Sequence, residues 1–156
     1  MTDTQKKPLW KNELVWLFLL TSGLFAILYS KFILGGYAYV FTDTGADTMQ
    51  INYAQYGLFS SLFRSGESGY VLQAGLGMDV SSYYPAYLIP YNLLILLAPQ
   101  RLLPWAVLAS AYLKMITISL VGYLFYRKLM QDGIGTMAAA LAWTFSGYVI
   151  LWGQHY

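Results

Sequence analysis

Cysteine is absent from this chain of 156 residues, and histidine occurs once, as His155. The first absence excludes disulfides, thiolate zinc sites and a cysteine nucleophile, and the second leaves too few imidazoles for a zinc centre built by the protein. No Ser-His-Asp arrangement is legible either. Charge is scarce: Asp, Glu, Lys and Arg make up 10% of the residues, against about 25% in soluble domains. The nine basic residues leave a net charge of +2 and form no stripe that could follow a phosphate backbone, which argues against nucleic acid as a partner. Internal repeats and low-complexity tracts are missing as well.

What is present is hydrophobic. Apolar types reach 58%, and the charges leave long uncharged runs at Leu14 to Ser30, Val80 to Gln100, Leu102 to Leu113, Met115 to Tyr126 and Gly133 to Gln154. Crossing a hydrocarbon core takes about 20 such residues, so the composition predicts an all-α transmembrane fold. The first crossing is expected over 14–34, with Trp10 and Trp16 near one interface and Tyr37 and Tyr39 near the other. Lys31 can snorkel from its last turn. Lys6, Lys7 and Lys11 resemble the charged start of a signal peptide. The apolar run continues past Lys31 to Leu34, however, with no Ala-x-Ala-like site close behind, which reads as an uncleaved anchor. By the positive-inside rule these lysines place residues 1–13 in the cytoplasm, and Arg127 and Lys128 place 127–132 there too. Crossings at 104–126 and 133–153 then run inward and outward, leaving 35–103 and 154–156 external.

The external segment carries four acids, Asp43, Asp47, Glu67 and Asp79, against Arg64 in its first part. Within it, Met49, Tyr53, Tyr56, Phe59 and Phe63 recur at intervals of three and four, which predicts an amphipathic helix over 47–64 lying on the membrane. Asp47 is expected at its N-terminus and Gly66 at its end. Residues 80–100 are apolar but contain Pro85, Pro90 and Pro99. Proline costs a helix interior about 3 kcal/mol, so this stretch reads as a re-entrant or interfacial segment.

Asp43 and Asp47, four residues apart around Gly45, are the candidate catalytic pair. On a helix they share a face, and in a turn they can still converge. Two such carboxylates could deprotonate an acceptor hydroxyl or hold a hard divalent cation against a phosphate. A turn at Asp43 and a helix cap at Asp47 account for both residues equally well. Gln50 and Asn52 could bond sugar hydroxyls, and Tyr53 and Tyr56 could stack on a sugar ring or anchor at the interface. Arg64, Lys114 and His155 are candidates for a phosphate. Lys114 stands out because a charge in mid-span is costly, whether it pairs within the bundle or meets a lipid phosphate. Gly75-Leu-Gly-Met-Asp79 does not make a nucleotide loop, since Val80 stands where a third glycine belongs; tight turns explain its glycines.

The order of these features resembles a known family. Asp43 to Gln50 reads Asp-x-x-x-Asp-x-x-Gln, Gly75 to Asp79 reads Gly-Leu-Gly-x-Asp, and Pro90 to Pro99 reads Pro-Tyr-Asn-Leu-Leu-x-Leu-Leu-x-Pro. Tyr126 to Leu129 and Ala142 to Val149 follow as Tyr-Arg-Lys-Leu and Ala-x-Thr-Phe-Ser-Gly-Tyr-Val. Together they look like the N-terminal region of the bacterial YfhO-type membrane proteins, which resemble the GT-C glycosyltransferases. The resemblance implies a polytopic helical bundle, a polyprenyl-phosphate sugar as donor, an envelope glycopolymer such as lipoteichoic acid as acceptor, and an acid in the first external loop. That acid maps onto Asp47, three residues before Gln50. Ile51 and Asn52 depart from the tyrosines and proline common there, and family members carry many more helices, so the chain is expected to be a piece of a longer protein. A transporter or flippase component and a small assembly subunit are the competing classes.

The cysteine-free background offers a direct test of this topology. Single cysteines at Asp47 and Gln154 are expected to react with an impermeant maleimide from the same side of the membrane; labelling from opposite sides overturns the arrangement.

Overall fold

The computed structural model describes residues 12–39, 53–67, 70–72, 77–79, 90–130 and 132–152. These are mostly helical, and the chain divides into two compact units, Met1–Gly35 with Lys114–Tyr156, and Gly36–Leu113.

In the first unit, α1 spans Glu13–Leu28 and is opened by Asn12, whose side chain accepts the Leu14 N–H. Helix α2, Ser30–Leu34, follows at once. The junction falls at Tyr29, whose φ of −101° and ψ of 15° leave the helical region, while its ring stacks on Phe25 at 4.3 Å. Hydrogen bonds from Tyr29 to Phe25 and from Ile33 to Tyr29 carry the chain across the junction. The 14–34 stretch, expected as one helix, is thus two helical pieces. Buried Leu17, Thr21 and Phe25 sit four residues apart on α1, and the other faces expose Trp16, Phe18, Leu19, Leu20, Leu24 and Ile27.

In the second unit, α3 spans Tyr53–Ser65. It ends in a Schellman motif: Gly66 takes φ of 74° and the Glu67 N–H reaches back to the Leu62 carbonyl at 3.1 Å. Residues 47–52, the start of the expected amphipathic helix, lie outside the described residues. The buried face is Tyr56, Phe59, Ser60 and Leu62, whereas Phe63 is 38% exposed. The expected face is therefore rotated at its end, because Val71 of β1 packs onto Leu62 beside Phe59 and Leu96. β1 (Tyr70–Val71) and β2 (Met78–Asp79) form a two-stranded antiparallel ladder pairing Tyr70 with Asp79 and Val71 with Met78. Gly77 has φ of 104° and lies against the Tyr70 ring, leaving no room for a Cβ. Helix α4, Leu93–Leu97, packs under α3. Of the expected re-entrant segment, 80–89 lies outside the described residues.

A 3₁₀ turn at Gln100–Leu102 leads into α5, Leu103–Leu129. Pro104 falls in the first turn, where its missing N–H costs nothing. At 27 residues α5 is about 40 Å long. The Gln100–Leu129 stretch is the one helix among the described residues long and apolar enough to cross a membrane.

Helices α6 (Gly133–Thr144) and α7 (Gly147–Trp152) occupy the stretch expected as a single crossing over 133–153. Asp132 caps α6 through the N–H groups of Ile134 and Gly135. The break after Thr144 has a local cause. Ser146 starts a new helix by accepting the Ile150 N–H on its carbonyl and the Val149 N–H on its hydroxyl, which is N-cap behaviour. α6 packs on α1, and Ala140 of α6, Leu17 of α1 and Tyr123 of α5 form one buried cluster.

Two substitutions probe these ends. Gly66→Ala is expected to cost about 1–2 kcal/mol because the left-handed backbone crowds a Cβ, and Asp132→Ala about 1 kcal/mol through the lost cap. Thermal unfolding in detergent, followed by circular dichroism, reads both.

Candidate functional site

The chain enters the acid-bearing segment 40–52 from Tyr39 and leaves it at Tyr53. Asp43, Asp47, Gln50 and Asn52 lie outside the described residues, as does His155. What the structure does describe is the base of the segment. The Tyr53 hydroxyl donates to the Tyr39 carbonyl at 3.0 Å, so the two flanking residues are held together. Tyr39 itself is buried.

Tyr53 is the first residue of α3, and the apolar periodicity of that helix turns its ring inward. The ring meets Tyr56 edge-on with centroids 6.1 Å apart and packs against the cluster of Tyr56, Ile95 and Leu103. Burial pushes its hydroxyl up to about 12, because the phenolate would lose its hydration there. A ring held this way anchors the base of the segment.

Arg64 lies in the last turn of the same helix. It is exposed, with its Nε donating to the Ser60 carbonyl at 3.2 Å. Eleven positions separate it from Tyr53, or about 16 Å along the axis, so these two candidates are not brought together. Lys114 is half-buried on α5 and belongs to the other unit.

Two features escaped sequence reasoning. Asn92, within the Pro90 to Pro99 run, is 1% exposed, and its Oδ1 has no hydrogen-bond partner among the described residues. A lone amide inside an apolar run was the available signal. Nearby in the chain, the Ser60 hydroxyl donates to the Ala98 carbonyl at 2.5 Å, fixing α3 to the end of α4. The second feature is in the other unit. Glu13 on α1 accepts from the Tyr123 hydroxyl and faces Arg127 at 3.5 Å, while Gly133, the first residue of α6, abuts its carboxylate. The start of α1, the end of α5 and the start of α6 therefore meet. Among the described residues no three of His, Asp and Glu gather as a metal site.

The anchor is testable through its proton. Tyr53 ionises at about 12 when folded and near 10 when unfolded, so the folded state holds this proton longer. Its contribution is complete below pH ~10 and is lost as pH rises towards ~12. Tyr53→Phe should flatten that part of the stability profile, remove one late phenolate from the absorbance titration, and cost about 1 kcal/mol at neutral pH for the hydrogen bond.

Comparison with family models, curated proteins and solved structures finds no match to this chain.

Proposed function

We propose that the chain is the N-terminal part of a polytopic GT-C-like glycosyltransferase of the YfhO type, set in the bacterial cytoplasmic membrane. It moves a sugar from a polyprenyl-phosphate donor to an envelope glycopolymer such as lipoteichoic acid. The observation that carries this reading is the Tyr53–Tyr39 hydrogen bond at the base of the segment bearing Asp43 and Asp47. A carboxylate acting as general base must be held within hydrogen-bond reach of its acceptor, and a segment tied to a packed core at both ends gives up less freedom in doing so.

In this reading α5 is one crossing, with α1–α2 and α6–α7 as the others. The Glu13–Arg127 contact supports putting the N-terminus and the α5–α6 connection on one face. The lysines and arginines there make it cytoplasmic, with 35–103 external.

The chemistry is a direct displacement. The acceptor hydroxyl attacks the anomeric carbon and its proton passes to Asp47. The bond to the phosphate oxygen breaks, and polyprenyl phosphate departs with the electron pair, inverting the centre. Asp43 orients the acceptor or a cation, Gln50 and Asn52 bind sugar hydroxyls, and one of Arg64, Lys114 or His155 is the cation proposed for the phosphate.

A lipid or solute transporter component is the second reading. The break between α6 and α7 and the half-buried Lys114 favour it, since discontinuous helices and mid-membrane charges line translocation paths.

Sugar transfer in membranes carrying the full-length protein separates the two. Asp47→Asn is expected to lower transfer by about 10²–10⁴-fold with expression unchanged. Undiminished transfer at normal expression would sink the assignment of Asp47, and binding of donor without any transfer by the wild type would favour the transporter.

A further inference from the structure

Within the first unit, a mostly apolar groove of about 510 Å³ runs along α5, lined by Thr117, Ile118, Val121, Gly122, Phe125 and Tyr126, with Trp143 of α6 as its other wall. The α5 positions recur at intervals of three and four, so the groove follows one face of the helix. From Ile118 to Tyr126 it covers about 12 Å, close to the roughly 15 Å depth of one leaflet. Its floor is Gly122, where even a Cβ would sit 3.7 Å from the Ala140 Cα and 3.7 Å from the Trp143 ring. The walls remain open: Val121, Phe125 and Trp143 are 58%, 57% and 51% exposed.

The end of the groove is charged. Lys128 follows Phe125 by three residues and Val121 by seven, which continues the same face, and it is exposed beside exposed Arg127. Arg127 already shares its charge with Glu13 at 3.5 Å, which leaves Lys128 as the principal cation there. An apolar channel of leaflet depth that ends at an exposed lysine matches an amphiphile with an anionic head. It matches a zwitterionic one less well, because the choline end would meet the same cation.

We propose that this groove binds an acyl chain of an anionic phospholipid such as phosphatidylglycerol, with Lys128 holding its phosphate. The groove is built wholly from residues of the first unit, and its test does not depend on sugar transfer.

Trp143 supplies the readout. With Trp10, Trp16, Trp105 and Trp152 replaced by phenylalanine, it is the sole tryptophan, and the chain is reconstituted in phosphatidylcholine nanodiscs with a fixed fraction of dibrominated lipid. Brominated phosphatidylglycerol is expected to quench Trp143 well beyond brominated phosphatidylcholine, with about fivefold higher occupancy for each basic residue engaged. Lys128→Gln should remove most of that preference and raised salt should weaken it. Gly122→Leu, which fills the floor, should reduce quenching by the glycerol lipid to the level of the choline lipid. Equal quenching by the two lipids overturns the proposal, as does a preference that survives Lys128→Gln. Protection of Trp143 from both lipids would mean that a second copy or another occupant fills the groove, and also overturns it. Should the single-tryptophan chain fail to fold, the immobilised fraction of spin-labelled phosphatidylglycerol over phosphatidylcholine on the wild-type chain reads the same preference.

Discussion

A chain with so little charge and so much apolar surface has to satisfy its polar groups from within, and this constraint shapes the rest of the structure. Backbone groups do so through helices, which close their own hydrogen bonds. Hydroxyls do so by returning to the helix or by crossing to a neighbour. Thr136 and Thr144 donate to the carbonyls of Asp132 and Ala140 four residues back. Thr21 and Ser119 share a buried hydrogen bond of 2.8 Å between α1 and α5. Ser60 donates across to Ala98. Each of these removes a polar cost of about 1–3 kcal/mol that an unpaired buried group would carry.

The same constraint sets where elements meet. In the first unit, Thr21 and Ser119 can pair only in one register of α1 against α5, and that register brings Glu13 level with Tyr123 and Arg127. The Glu13–Arg127 pair is half-exposed and adds little stability by itself. Its consequence is positional, because it gathers three helix ends at one place. In the second unit, the Tyr53 hydroxyl needs an acceptor once its ring is buried, and the Tyr39 carbonyl supplies it. The candidate catalytic segment is therefore closed at its base by a side chain whose first requirement was its own burial.

Much of the architecture was legible in the chain. The apolar period of three and four announced α3, Gly66 announced its end, and the uncharged run before Arg127 announced α5. Helix interruptions were not legible, because the junction at Tyr29 and the break at Ser146 depend on local capping that any serine or tyrosine in an apolar run can make or decline. The rotation of the buried face of α3 depended on Val71, which returns from a strand pair too short to leave a pattern. Of the candidate site, Tyr53 was read as a platform for a sugar ring or an interface anchor, and the structure places its ring against Tyr56, Ile95 and Leu103. Whether a tyrosine stacks outward or inward is decided by what lies beneath it, here Ile95 and Leu103 from more than 40 residues away in the chain.

Composition and periodicity by themselves determined that this chain is mostly helical and holds a helix able to cross a membrane, because hydropathy and helical spacing are properties of neighbours in sequence. The tertiary structure alone decided that Tyr39 meets Tyr53, that Glu13 meets Arg127, and that α5 and α6 leave a groove over Gly122. Those are contacts between distant residues, and they follow from which small, polar and aromatic side chains fit against one another once the helices pack.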